Sequence, residues 1–450
     1  MLFYSTNLQS PSVKFPEALL QGQSPDRGLY MPEEIPVFTP GEIERFSELA
    51  YPDIAKEVLW KYLEGDIEEQ VLDRLTRDAY DFDIPLEKVH DRKFIMRLDQ
   101  GPTASFKDFA ARMMGRLMNY YLTKQNRNLL ILTATSGDTG SAISHAFLGL
   151  DNIKAVVLFP ENEVTPRQRK QMTTLGNNIQ VLALDGKFDD CQALVKQAFA
   201  DPELAHCNLS SANSINIGRL VPQTVYYFYA YGRLARNGEK INFSVPSGNF
   251  GDMMGGILAM KMGLPVEKFI IAVNENDEFP VYLDSGNYQK IEPSRNCISS
   301  AMNVGHPSNL ARLIALYGGI MDEKGNIYRQ ADLELMRKEL WSVAVNDALT
   351  RGTIKEAWSQ YSLLLEPHGA VGWAGLLKYL ETVTDKPAKE GLYVSLETAH
   401  PAKFPGEINR LLGFDPILPP SLHGLETKEE SYINMKTDYN DFKRFLLNNY

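Results

Sequence analysis

Residues 128–140 read NLLILTATSGDTG, and residues 141–150 continue SAISHAFLGL. The run from Leu129 to Thr135 is too short for a typical helix and too uniformly apolar for a strand with one wet face, so it describes a strand buried on both sides. Small hydroxyl residues and two glycines make the turn, and the apolar spacing that follows is helical. Buried strand, tight turn and helix are the repeating unit of a parallel sheet with helices on both faces. The same texture recurs in KFIMRL at 93–98, KAVVLFP at 154–160, NIQVLAL at 178–184, INFSVP at 241–246, KFIIAVN at 268–274 and GLYVSLE at 391–397. These runs predict an α/β protein without an evident repeat.

Outside that zone the pattern changes. GEIERFSELA at 41–50 and DIEEQVLDRLTRDAY at 66–80 carry helical periodicity without a Gly-rich turn, so residues 1–92 are expected to form a helical N-terminal unit ahead of a body at 93–410. A polar tail at 411–450 closes on DFKRFLLNNY, a helical pattern expected to dock on the surface. At 450 residues the chain exceeds a single core, and 44% apolar with 23% charged residues is a soluble globular balance. A net charge of −11 argues against a nucleic-acid surface, which needs clustered Lys and Arg. Cys191, Cys207 and Cys297 suit neither a disulfide framework nor a Cys-x-x-Cys metal site. No secretory signal or membrane-length apolar run is read, and the expected location is cytoplasmic with no membrane partner.

Three segments at predicted strand ends carry chemistry, and parallel sheets place ligands at such ends. In GPTASFKDF at 101–109, Ser105 can cap a helix whose first turn contains Lys107. The helix dipole and the apolar setting of Phe106 and Phe109 would lower the lysine's pKa and favour attack on an aldehyde. Taken alone, an early helical lysine is more often a solvated charge. In TATSGDTG at 133–140, amides at a helix N-terminus with the hydroxyls of Thr135, Ser136 and Thr139 would grip a carboxylate, although an ordinary capped turn reads equally well. In PSGNFGDMMGG at 246–256, four glycines allow backbone amides to converge on a phosphate. This is neither a Walker pattern nor a dinucleotide fingerprint. Asp252 counts against a bound phosphate unless its side chain points away.

An S-F-K-D lysine, a T-S-G-D-T-G loop and an S-G-N-F-G-D loop in this order resemble the bacterial threonine synthases, members of the tryptophan synthase β-like group of pyridoxal-phosphate enzymes. The resemblance extends to FDDCQALVKQAF at 188–199, SANSINIGRL at 211–220 and ETAHPAKF at 397–404, and so spans nearly the whole chain. It implies a parallel-sheet, two-domain body with a smaller mobile subdomain at about 112–240, behind a helical extension. It implies pyridoxal 5′-phosphate as cofactor and conversion of O-phospho-L-homoserine and water to L-threonine and phosphate.

Carried over residue by residue, the resemblance makes Lys107 the Schiff-base lysine and α-proton base. Gly248, Asn249, Phe250, Gly251 and Asp252 become the cradle of the cofactor phosphate, and Thr398 the partner of the pyridine nitrogen. Asp138 stands where many relatives carry an asparagine against the ring's 3′ oxygen, where an ionised carboxylate would repel a phenolate. Asn213, Ser214 and Arg219 are candidates for the substrate's own phosphate, with Lys170 behind them, because a guanidinium binds phosphate bidentately. His145, His306 and His368 lack metal-ligand spacing, and His400 is read as shaping the loop after Thr398. No metal is expected. Two rival readings share much of this pattern: a dehydratase or phospholyase of the same cofactor class, and a non-catalytic phosphate or cofactor binder.

Overall fold

The computed structural model describes residues 1–236 and 238–450. Two sheets organise the chain. The larger has six strands in the order Leu340–Ala344, Val266–Val273, Ile241–Pro246, Leu392–Glu397, Lys93–Arg97 and Leu86–His90, and only the last pair is antiparallel. The smaller has five parallel strands in the order Ile433–Lys436, Ile179–Asp185, Ile153–Pro160, Leu129–Ala134 and Leu209–Ser211. Every position of Leu129–Ala134, Ile241–Pro246 and Leu392–Glu397 is buried, as unbroken apolar runs require. All seven runs read as strands are strands. Leu340–Ala344 was not foreseen, because it follows the helix Leu333–Glu339 with no turn residue between them.

The N-terminal region holds the expected helices, Pro40–Arg45, Tyr51–Leu63 and Glu69–Ala79. It also holds a three-stranded antiparallel sheet of Leu2–Ser5, Val13–Lys14 and Tyr30–Pro32, whose strands are too short to show alternation. Its helix Phe15–Gln21 braces the segment 211–219: Asn216 Nδ2 donates to the Leu19 carbonyl at 2.9 Å, and a Cβ on Gly218 would lie 2.2 Å from Leu19 Cδ1. The tail does more than dock. Ile433–Lys436 adds an edge strand beside Ile179–Asp185, and Phe442 and Leu446 of the helix Tyr439–Asn449 join the apolar cluster of Leu194, Val195 and Ala198.

Among the described residues no helix is long and apolar enough to cross a membrane. All three cysteines are buried and free, as core thiols are. The connections that leave Arg97, Ala134, Ser211, Pro246 and Glu397 all start at the carboxyl ends of parallel strands. They bring the candidate residues to one place.

Candidate active site

Lys107 opens the helix Lys107–Gln125, and the turn before it differs from the capped start expected. Ser105 is not the cap. Phe106 occupies that position and no side chain caps the helix. Instead the Asp108 carboxylate reaches back, accepting from Thr103 N at 2.8 Å and Thr103 Oγ1 at 2.7 Å. This staple needs Gly101, where a Cβ would meet Asp108 Oδ2 at 2.4 Å. The turn is also paired with the loop that carries Thr398: Phe106 N donates to the Thr398 carbonyl at 2.9 Å, and His400 N to the Ala104 carbonyl at 3.0 Å. Thr398 is thereby buried beside the lysine. His400 Nδ1 accepts from Ala402 N at 3.1 Å and shapes the same loop.

The Lys107 side chain is 13% exposed, with its ammonium position 4.6 Å above the Phe106 ring. Burial pushes its pKa below the ordinary lysine value. Asp138 pulls it back, and the charges of Lys403 and Arg219 act with the burial. The amine is therefore poised toward its neutral, nucleophilic form.

Asp138 begins the helix Asp138–Phe147 and is buried. Its Oδ1 is 2.7 Å from Lys403 Nζ and accepts from Gln168 Nε2 at 2.9 Å, while its Oδ2 lies 4.0 Å from Lys107 Nζ. Burial would raise this carboxyl, but the two lysines and the glutamine hold it below the usual carboxylate range. Lys403, within the AHPAKF stretch, was missed by sequence reasoning. A lysine in a loop gives no local sign that it is fully buried and paired.

The hydroxyls of the 133–140 turn are less free than expected. Thr135 Oγ1 accepts from Gly137 N at 2.9 Å and Gly140 N at 2.8 Å, so two amides assigned to a ligand are already satisfied. Ser136 and Thr139 sit on the same turn, where the first-turn amides of Asp138 and Thr139 have no intrahelical partner.

The turn after Pro246 is wedged into the protein. A Cβ on Gly248 would lie 2.7 Å from Met302 Cα. Asn249 Oδ1 accepts from Ser308 N at 2.6 Å and Ser308 Oγ at 2.8 Å, and its Nδ2 donates to Ser214 Oγ at 2.9 Å. Phe250 has a φ of +61°, which turns the chain into the helix Gly251–Lys261, and its ring packs edge-on against Phe279. The first-turn amides of Gly251, Asp252 and Met253 are left without intrahelical acceptors, the arrangement that binds a phosphate. Two of the four glycines serve helix packing instead, since Gly255 gives way to Gln223 and Gly256 to the Phe269 and Tyr227 rings.

Asp252 points away from the turn. Its Oδ1 accepts from Tyr226 and Tyr227 hydroxyls at 2.5 and 2.8 Å, and burial pushes its pKa up to about 6. The objection it raised to a phosphate is thereby weakened.

Between the two turns lies the segment 211–219. Asn213 Nδ2 donates to the Ala134 carbonyl at 3.3 Å, and Ser214 accepts from Asn249, so this segment ties the sheets together. Arg219, in the helix Ile217–Leu220, is buried and donates Nη1 to the Ala212 carbonyl at 2.7 Å. Its Nε is buried without a partner, and burial lowers its pKa to about 10. A buried guanidinium with a spare donor is a strong anion ligand.

A second buried arginine, also missed, is a clasp rather than a ligand. Arg312 donates to the carbonyls of Tyr30, Ser214 and Ile215 and to Asn309 Oδ1. Lys170 is drawn off: its Nζ donates to the carbonyls of Glu426 and Lys428 in the C-terminal segment. The structure does not bring it to the site. His145 is half-buried, with its pKa lowered to about 4 by desolvation, and His368 is a core histidine that accepts from Ala301 N at 3.0 Å.

A recessed lysine amine, a helix start with first-turn amides lacking intrahelical acceptors and an orphan guanidinium donor fit a phosphorylated aldehyde cofactor and an anionic substrate. Comparison with known proteins points the same way. Residues 84–389 match the family described as pyridoxal-phosphate dependent enzyme, residues 2–80 match threonine synthase N terminus, and residues 369–446 match threonine synthase, C-terminal. The chain is 37% identical over 449 residues to a threonine synthase of Haemophilus influenzae, covering 99% of this chain and 100% of the relative. The crystal structure of PLP-bound threonine synthase from Brucella melitensis is similar with a TM-score of 0.92 at 35% identity, over 99% of this chain and 98% of that one. That of the Escherichia coli threonine synthase is similar with a TM-score of 0.88 at 35% identity, over 100% of both chains.

Proposed function

This chain belongs to the threonine synthase family of pyridoxal-phosphate-dependent enzymes, and from that premise we propose how its residues divide the work. The activity is the formation of threonine from O-phosphohomoserine with pyridoxal 5′-phosphate as cofactor. The assignment of roles rests on one observation above the others. The recessed, charge-depressed Lys107 amine stands among two amide-lined turns and a buried arginine with a spare donor.

When bound, pyridoxal phosphate supplies an aldehyde that accepts amines and a ring that draws electrons from the substrate's α-carbon. Lys107 is the anchor for that aldehyde. Toward a bound substrate, the Lys107 amine would be the base that takes the proton from the α-carbon. Backbone amides at Gly248, Asn249, Phe250, Gly251 and Asp252 hold the cofactor phosphate, with the Asp252 side chain turned into the core. Thr398 offers a neutral hydroxyl to the ring nitrogen, which supports less charge there than a carboxylate would. Asp138, held by Lys403, would border the cofactor.

On the side of the smaller sheet, Thr135, Ser136 and Thr139 orient the substrate carboxylate. Arg219, with Asn213 and Ser214, holds the γ-phosphate as it leaves. The substrate is thus a small doubly anionic amino acid met by fixed donors rather than by surface charge. A cytoplasmic setting belongs to the same proposal and is supported by three buried free thiols.

The test is incubation of the holoenzyme with O-phosphohomoserine while phosphate and threonine are both measured. Equal amounts of the two are expected. Phosphate released with a 2-oxo acid in place of threonine would overturn the reading in favour of an eliminating relative.

A further inference from the structure

Two buried lysines compete for one carboxylate at this site. Lys403 Nζ lies 2.7 Å from Asp138 Oδ1 and donates to the Thr103 carbonyl at 2.9 Å, whereas Lys107 Nζ stands 4.0 Å from Asp138 Oδ2. The Lys403 side chain has 0% exposure and that of Lys107 13%. A buried ammonium needs a compensating charge or good acceptors, and a charge-assisted hydrogen bond weakens steeply beyond contact distance. One negative charge does not neutralise two ammoniums, although both lysines act on it. The distances give Asp138 to Lys403, and Gln168 Nε2 at 2.9 Å fixes the carboxylate in that orientation.

The other charged groups that act on Lys107 are Arg219, Glu366 and Asp252. Asp252 Oδ1 is bound by two tyrosine hydroxyls, and Glu366 accepts from the amides of His368 and Gly369 and contacts the His368 ring. Asp138 is therefore the anion with which Lys107 would pair closely once Lys403 is gone.

We propose that Lys403 is a positioning residue for the reaction: by occupying Asp138 it keeps that carboxylate from closing on Lys107 to contact distance, so that Lys107 gives up its proton more readily. The inference rests on Lys107 being the cofactor lysine. Capture of an aldehyde shows why the charge matters: the nitrogen lone pair forms the bond to the carbonyl carbon, and both amine protons leave with the oxygen as water. An ammonium has no lone pair to give, and it cannot serve as base at the α-carbon either. Removing Lys403 would free Asp138 to close the gap to Lys107 and hold it protonated.

The experiment follows the rate at which the cofactor-stripped full-length chain captures pyridoxal phosphate, by absorbance, from neutral to alkaline pH. In Lys403→Met the acid limb should move up by about one pH unit, which slows capture at neutral pH about tenfold. Lys403→Arg, which keeps a cation on Asp138, should follow the unsubstituted chain. Lys403→Met combined with Asp138→Asn removes the trap together with its partner and leaves no unpaired buried charge, so the pH midpoint of the limb should return to its original place, whatever the loss of Asp138 beside the cofactor does to the plateau rate. An unmoved limb in Lys403→Met, or a shift that Asp138→Asn does not reverse, would overturn the inference. Borohydride reduction followed by peptide mapping checks the premise separately, and a label away from Lys107 in the unsubstituted chain would overturn both.

Discussion

The turn at 247–251 and the turn at 135–140 each join a fully buried parallel strand to a helix, and they are held in different ways. In the first, close packing acts together with a side-chain clasp: a Cβ on Gly248 would meet Met302 Cα, the Phe250 ring packs on Phe279, and Asn249 Oδ1 accepts from Ser308. In the second, polar side chains do most of the holding: Thr135 accepts from two amides, Asp138 is fixed by Lys403 and Gln168, and the nearest atoms to a Cβ on Gly137 belong to the Gln168 side chain. A turn wedged against packed neighbours cannot rearrange without cost, whereas one held mainly by hydrogen-bonded side chains rearranges more easily. The first suits a resident cofactor phosphate, and the second suits a substrate that must enter and leave.

Lys107 stands at the junction, so Lys107→Ala should strike both sides at once. Turnover should fall by at least roughly a hundredfold with the melting temperature nearly unchanged, because the role is chemical. Retained activity in a steady-state assay would take Lys107 out of the reaction. Next in size is a contrast within the packed turn. Gly248→Val sets its Cβ on the Met302 backbone and should lose both cofactor and stability. In Gly251→Val the Cβ meets Ser214 Cβ at 3.4 Å and Gln223 Oε1 at 3.6 Å, so stability should hold while cofactor is lost on dialysis. Equal destabilisation of the two variants would erase the distinction between packed and open positions of that turn.

Arg219→Ala probes the substrate side. Loss of a charge-assisted bond costs about 1.5–3 kcal/mol, hence roughly ten- to a hundredfold in affinity for O-phosphohomoserine. Elimination from plain serine should change much less, and the cofactor should stay bound. If both reactions slow equally, Arg219 serves the fold. The smallest effect concerns the scaffold beneath the packed turn. Burial pushes Glu278, which opens the helix Glu278–Ser285, up to about 8 from 4.5. A carboxyl whose folded pKa is raised contributes stability below its unfolded value and loses it as pH rises through the folded one. Glu278→Gln should therefore raise the melting temperature at mildly alkaline pH and not at acid pH. A pH-independent shift would mean that Glu278 acts through packing.

Much of the larger architecture was legible because buried parallel strands advertise themselves as apolar runs, and seven of them were read as such. What escaped was short or context-made. Tyr30–Pro32 is three residues long, and Leu340–Ala344 follows its helix without punctuation. At the site, the residue types and their order put Lys107 and the two turns at strand ends, and the family resemblance added Thr398. The sequence could not say that Asp252 would turn inward to Tyr226 and Tyr227, that Lys170 would be taken up by the carbonyls of the C-terminal segment, or that Lys403 would be buried on Asp138. Each depends on a partner far away in the chain. Local pattern carries no trace of such partners.

The central claim is that Lys107, and not its buried neighbour Lys403, carries the cofactor. Reduction of the holoenzyme with borohydride, proteolysis and mass mapping of the labelled peptide tests it directly. One labelled peptide is expected, containing Lys107 from the S-F-K-D stretch. Label on Lys403, or on any other lysine, would contradict it.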